Sequence, residues 1–187
     1  MPAPTSFNPV NHQPMVAGAS SMAALMVLAV MLTVAVYMEL KEGRIPNWLT
    51  FSGMALGLLI AYLHGQNIFW ASLGGLFVGF GFLFIFYVFG GVGGGDVKLM
   101  GAAGALMGLE MTKPALFYTT FIGAFIAVMM VVWRKDFWLC IGLGLRSLAF
   151  WRKQDKGKPA SLPAIQVPYG IAIAIGCVLA VLVSGYN

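Results

Sequence analysis

The sequence predicts an all-α membrane protein with about six transmembrane helices, and three observations lead to this class. Of its 187 residues, 60% are hydrophobic and only 9% are charged, and the mean hydropathy is +0.88. Apolar runs recur along the chain, and roughly 20 apolar residues suffice to cross a bilayer as a helix. Lysines and arginines cluster after alternate runs, as they do in the cytoplasmic loops of membrane proteins.

The predicted elements follow from these runs in order. Residues 1–19 contain prolines but no lysine or arginine, which indicates an exposed tail rather than a signal peptide. Residues 20–187 form one membrane domain. Its expected spans cover about 20–38, 48–63, 68–89, 97–111, 114–133 and 167–184. The fourth span is short and rich in Gly and Ala, so we expect it to be buried among other helices.

The basic residues predict the orientation. With the tail outside, Lys41 and Arg44 lie in one cytoplasmic loop, Lys98 in the next, and the basic segment 134–166 in the last. Only Lys113 falls on the outer side. Both termini are then outside, and the net charge of +5 is a topology signal with some attraction to lipid, not a nucleic-acid site.

The last cytoplasmic segment contains a further apolar stretch. Residues 136–151 are too short to span comfortably and carry a tryptophan near each end, so they predict an interfacial helix. The following residues, 153–163, are a polar linker.

Cysteine and histidine are too sparse for metal or thiol chemistry. Cys140 and Cys177 form no CxxC pair, and His12 and His64 lie on the predicted outer side. The sequence therefore predicts no metal and no cofactor.

Among the six acids, Glu39 and Asp96 lie where apolar spans meet the cytoplasmic boundary, where ionisable groups are candidate functional residues. Asp96 follows Gly93, Gly94 and Gly95 in the stretch GGVGGGDVKLMG. It is suited to cap a helix that starts at Val97, and it is equally suited to catalysis.

Glu39 precedes a sharp turn in the chain. It is either a solvated charge or the partner of Asp96. Ile45 before Pro46 is biased away from helix, and Asn47 is expected to cap a helix that begins at Trp48. The two acids are therefore on the same membrane face; their separation does not follow from the sequence.

Three stretches in order, IPNWLT, GGGD with VKL, and PYGIAIAIG, resemble the prepilin peptidase family, which are GxGD-type intramembrane aspartic proteases. The resemblance implies removal of the leader from a prepilin or pseudopilin at the cytoplasmic face of the bacterial inner membrane. Glu39 and Asp96 would be the catalytic acids, with membrane lipid and pilus assembly proteins as further partners.

Details of the motifs sharpen this expectation. Lys98 either serves the active site or is a topology lysine, and Pro168, Tyr169 and Gly170 are interpreted as the structural start of the last helix. No cysteine-rich insertion follows the first span, so the chain resembles the minimal form of Flp or tight-adherence pilus systems, and N-methylation is not expected.

The family pattern has aspartate where this chain has Glu39. Because the glutamate side chain is longer, one alternative function is that of an inactive relative that binds assembly partners. A second alternative is a small ion transporter. For the enzyme, the dipoles of their own helices favour Asp96 as base and Glu39 as acid.

Overall fold

The computed structural model describes residues 22–133 and 169–184, and this part of the chain consists of helices without strands. The all-α class is confirmed. The tail 1–19, the interfacial helix 136–151, the linker and the positions of the termini lie outside the described residues. The helices are α1 (Met22–Glu42), α2 (Asn47–His64), α3 (Gln66–Val88), α4 (Gly94–Trp133) and α5 (Tyr169–Ser184).

α4 is two helical arms joined by a sharp break at Gly108, whose φ of 76° and ψ of 172° are not helical. The ring of Tyr169 packs on Gly123 in the second arm, and this tyrosine also interacts electrostatically with Asp96 in the first. In a straight helix Asp96 and Gly123 would be about 40 Å apart. The arms, residues 94–107 and 109–133, therefore run in opposite directions.

α3 packs along both arms through a row of small residues. A Cβ atom on Gly79 would lie 2.7 Å from the carbonyl oxygen of Met100 in the first arm and 3.5 Å from the Thr112 side chain in the second. Gly75 approaches even closer, because its Cβ atom would overlap the carbonyl group of Gly104. Such backbone contact between helices requires residues without a side chain.

The first arm of α4 is enclosed on several sides. α2 approaches it through Gly57, where a Cβ atom would lie 2.9 Å from the carbonyl carbon of Ala105, and the Ser72 hydroxyl of α3 donates to the Ala105 carbonyl oxygen. Every residue from Asp96 to Gly108 is buried except Lys98. This agrees with the burial expected for the Gly- and Ala-rich stretch, although the break lies before the predicted end of that span.

Three of the described helical segments are long and apolar enough to cross a membrane: Met22–Glu42, Gln66–Val88 and Gly94–Met129. α5 is apolar but shorter. These segments identify the chain as a membrane protein. The count of six spans stays a prediction, because the break at Gly108 divides the third segment.

Lys113, the exception to the charge pattern, lies beside an acid in the structure. Its ammonium group is 2.8 Å from Oε1 of Glu110, and both side chains are exposed. An exposed pair of this kind contributes little to stability, and Lys113 stays the exception to the charge pattern.

We expect Gly75→Ala to destabilise the protein, because the new methyl group would overlap the Gly104 carbonyl of α4. Overpacking of this kind costs about 1–3 kcal/mol. The neighbouring Gly74→Ala is the matched control, since its Cβ atom would meet only the Leu109 side chain, at 3.6 Å or more. Thermal unfolding in detergent measures both variants. Equal midpoints for the two would contradict the close packing of α3 on α4.

Candidate active site

Asp96 lies in the first turn of α4, which begins at Gly94 rather than at the expected Val97. Its Oδ2 accepts a hydrogen bond of 3.2 Å from the backbone N–H of Gly93. The side chain therefore reaches back to the residue before the helix, as the acid of a capping box does, and it does not occupy the N-cap position itself. Only 6% of the residue surface is exposed.

The first glycines of the run before Asp96 terminate α3, and the last ones lie at the start of α4. Gly90 has a φ of 77° and its N–H donates to the Tyr87 carbonyl at 2.9 Å, while the N–H of Gly91 donates to Phe86 at 2.9 Å. This is the Schellman arrangement that closes many helices. The first glycines of the run thus have a structural explanation, and the later ones lie next to Asp96.

Glu39 lies within α1, which extends to Glu42, and its carboxyl group reaches across to the start of α5. Oε1 accepts a hydrogen bond of 3.2 Å from the backbone N–H of Gly170. The side chain is half-buried. A carboxylate at the first turn of a helix is stabilised by the exposed N–H groups there.

This contact removes the basis for assigning acid and base from helix dipoles. From the sequence, Glu39 is expected only at the carboxyl end of α1, where an anion is disfavoured. In the structure, Glu39 lies at the amino end of α5 and Asp96 at the amino end of α4. Glu39 therefore faces the favourable amino end of α5 as well as the unfavourable carboxyl end of α1, so helix dipoles alone do not assign the two roles.

Ile45 joins the two carboxyl-bearing regions. A Cβ atom on Gly95 would lie 3.1 Å from Cβ of Ile45, and one on Gly170 would lie 3.5 Å from Cδ1 of Ile45. The isoleucine side chain therefore lies between the residue that precedes Asp96 and the residue that holds Glu39.

The remaining residues of the IPN motif have different positions from those expected. Pro46 occupies the N-cap position of α2, and its carbonyl accepts the N–H of Leu49 at 3.2 Å. Asn47 is the first residue of the helix rather than its cap. Its side-chain Oδ1 accepts a hydrogen bond of 2.8 Å from Nζ of Lys98, which also lies 5.5 Å from the ring centre of Phe51. Lys98 thus connects α4 to α2.

The two carboxyl groups are close enough to interact electrostatically. Each has one oxygen held by a backbone N–H group. Within the described ranges, the other oxygens, Oδ1 of Asp96 and Oε2 of Glu39, are buried without a hydrogen-bond partner. Two such acids at one location have the arrangement needed for acid–base chemistry.

Of the residues expected at this site, the structure places Gly93, Gly95 and Ile45 around the two acids, whereas Lys98 and Asn47 bind each other. Gly94 faces a different side chain, since a Cβ atom there would lie 3.4 Å from the ring of Tyr87. Gly170 and Tyr169 were underestimated: the sequence interpretation gave them a structural role only. The signal was the quoted PYG stretch itself, a glycine where a helix begins.

Other reactive side chains lie apart from this site. His64 is at the far end of α2, and Cys177 is buried in α5. Among the residues that the structure describes, no group of three or more His, Cys, Asp or Glu side chains could hold a metal ion.

Apolar helices that enclose two neighbouring acids define a membrane protein with a candidate acid–base centre. A family model, that of the type IV leader peptidase family, matches residues 26–128, more than half of the chain. The chain belongs to this family of membrane-embedded, aspartic-type proteases. The matched range includes Glu39 and Asp96 but not α5. Neither the curated proteins nor the solved structures gave a match.

We expect the Lys98 to Asn47 hydrogen bond to stabilise the contact between α2 and α4. In a double-mutant cycle of Lys98→Met and Asn47→Ala, the effects on the free energy of unfolding should be non-additive by about 0.5–1.5 kcal/mol. Lys113→Met combined with Asn47→Ala is the control pair and should be additive, because Lys113 is paired with Glu110 instead. Additivity in both cycles would show that the bond contributes nothing.

Proposed function

We propose that this protein is an aspartic endopeptidase that removes the leader peptide from a prepilin or pseudopilin, with Glu39 and Asp96 as its catalytic acids. Membership of the leader peptidase family supports the reaction class. The observation that carries the residue assignment is the pairing of the two carboxyls, each with one oxygen held by a backbone amide and one without a protein partner in the described ranges.

The proposed chemistry uses one carboxylate and one carboxylic acid. The carboxylate takes a proton from a water molecule, whose oxygen attacks the carbonyl carbon of the scissile peptide bond. The protonated carboxyl donates its proton to the leaving nitrogen, the C–N bond breaks, and a new carboxyl and a new amine result. Either acid is able to start as the base, since both lie at helix amino ends.

The fixed oxygens serve this chemistry. A hydrogen bond from Gly93 or Gly170 restricts the rotation of each carboxyl, so the other oxygen is already aimed when the substrate arrives. Prior orientation of reacting groups lowers the barrier, and displacements of about 1 Å are costly in rate.

The proposed setting follows from the charge pattern and the family. The site would lie at the cytoplasmic face of a bacterial inner membrane, with both termini outside, and the substrate would belong to an Flp or tight-adherence pilus. The short loop between α1 and α2 leaves no room for a cysteine-rich insertion, which supports a peptidase without N-methylation activity.

An inactive relative that binds pilin or assembly partners is the second candidate, and Glu39 in place of the family's aspartate is the observation that favours it. The hydrogen bond from the Gly170 amide supports the enzyme instead, because it holds the longer Glu39 carboxyl in a defined position. A transporter gains no such support.

The test is a cleavage assay of a prepilin encoded beside this gene. Membranes that contain the protein are mixed with the prepilin, and a mass-resolved gel separates the cleaved from the uncleaved form. We expect Asp96→Asn and Glu39→Gln each to lower the cleavage rate by about a hundredfold or more, because each removes a proton-transferring group. Glu42→Gln is the matched control, an exposed acid one turn further along α1, and should cleave as the wild type does.

Two results would reject the proposal. Cleavage by Asp96→Asn at the wild-type rate would remove Asp96 from the chemistry. Cleavage by Glu39→Asp alone, with an inactive wild-type chain, would show that the chain has lost its chemistry and that its role must be sought in binding.

A further inference from the structure

The first turn of α5 makes an unusually close contact with the Glu39 carboxyl. The N–H of Gly170 donates to Oε1 at 3.2 Å. A Cβ atom on Gly170 would lie 3.1 Å from the Glu39 carboxyl carbon and would overlap Oε2. The carboxyl therefore occupies space that any other residue at position 170 would fill with its side chain.

We infer that Gly170 is a positioning residue that sets the location of the Glu39 carboxyl, and that its missing side chain is what accommodates a glutamate at this site. The inference rests on the proposed function and deepens it. It assigns a role to a residue outside the range of the family match, which ends at residue 128.

The length of the Glu39 side chain explains why residue 170 is required to be glycine. A glutamate carboxyl lies about 1.5 Å farther from the backbone than an aspartate carboxyl, the length of one additional C–C bond. In this chain the added reach ends at the backbone of α5, where the Gly170 amide fixes it. Glu39 is then an anchored acid rather than a misplaced one.

Ile45 closes the same space from the other side. Its Cδ1 would be 3.5 Å from a Cβ atom on Gly170, and its Cβ faces Gly95. A methyl group at position 170 would therefore lie against both the Glu39 carboxyl and the Ile45 side chain. Displacement of the carboxyl is the expected response, and the alanine itself is favourable in a helix.

The experiment combines Gly170→Ala with Glu39→Asp and measures prepilin cleavage for the wild type, both single variants and the double variant. We expect Gly170→Ala to lower kcat by about a hundredfold with KM little changed, since the substrate is still bound while the acid is displaced. Glu39→Asp in the Gly170→Ala background should recover roughly tenfold, because the shorter side chain avoids the methyl group. A general structural defect would not be rescued in this way.

Thermal unfolding of the same four proteins supplies a readout that is independent of activity. Gly170→Ala should lower the midpoint by about 3 °C when residue 39 is glutamate and should not lower it when residue 39 is aspartate. Gly81→Ala in α3 is the matched control, a helical glycine with open space around its Cβ position, and should behave alike in both backgrounds.

The outcomes separate the inference from the proposed function. If the wild type cleaves and Gly170→Ala cleaves equally well, the inference is wrong and the function stands. If the wild type does not cleave, the proposed function fails, and the unfolding cycle still decides: dependence on residue 39 supports the contact, and additive midpoints overturn it.

Discussion

The helix arm that carries Asp96 touches neighbouring backbones directly, and the rest of the structure depends on this close approach. Gly57 of α2 and Gly75 of α3 leave the space that the arm occupies. Without a hydrophobic force between helices in lipid, such backbone contact and the dispersion energy it provides hold helices together. Because the arm is fixed along its length, the position of its first turn, and hence of Asp96, is fixed as well.

The site is built from helix ends rather than from helix faces. The end of α1 contributes Glu39, the first turn of α4 contributes Asp96, and the first turn of α5 contributes the Gly170 amide. Free N–H groups are available only in the first turn of a helix, so this meeting of ends supplies hydrogen-bond donors where carboxylates need them. Ile45 packs between the ends.

The sequence was sufficient for the helical class, the burial of the Gly- and Ala-rich stretch and the choice of Glu39 and Asp96 as the acids to examine. It was not sufficient for the break at Gly108, since nothing local separates this glycine from the other glycines nearby. The sequence also did not indicate which residue binds the Glu39 carboxyl. Gly170 is 131 residues away, and only the packing of α5 brings it to the carboxyl.

The local details that were wrong share a cause. Asn47 was expected to cap α2 because its side chain suits that role, yet it binds Lys98 from another helix. Likewise, one of the two interpretations of Asp96 made it the N-cap of a helix starting at Val97, whereas α4 starts three residues earlier, at Gly94. In both cases a tertiary contact or a shifted boundary overrides the local preference.

The central claim is that the turn after Glu39 lies against the residue before Asp96, and a disulfide measures this directly. Cysteines in place of Ile45 and Gly95, in a chain with Cys140 and Cys177 replaced, should cross-link on mild oxidation. The two Cβ positions are 3.1 Å apart, and a small outward shift brings them into the range of about 3.5–4.5 Å that disulfides need. Mass spectrometry of the digested protein detects the bond. The account predicts a cross-link for this pair and none when Gly81 replaces Gly95 as the second site; the reverse result, or no bond at either, would contradict it.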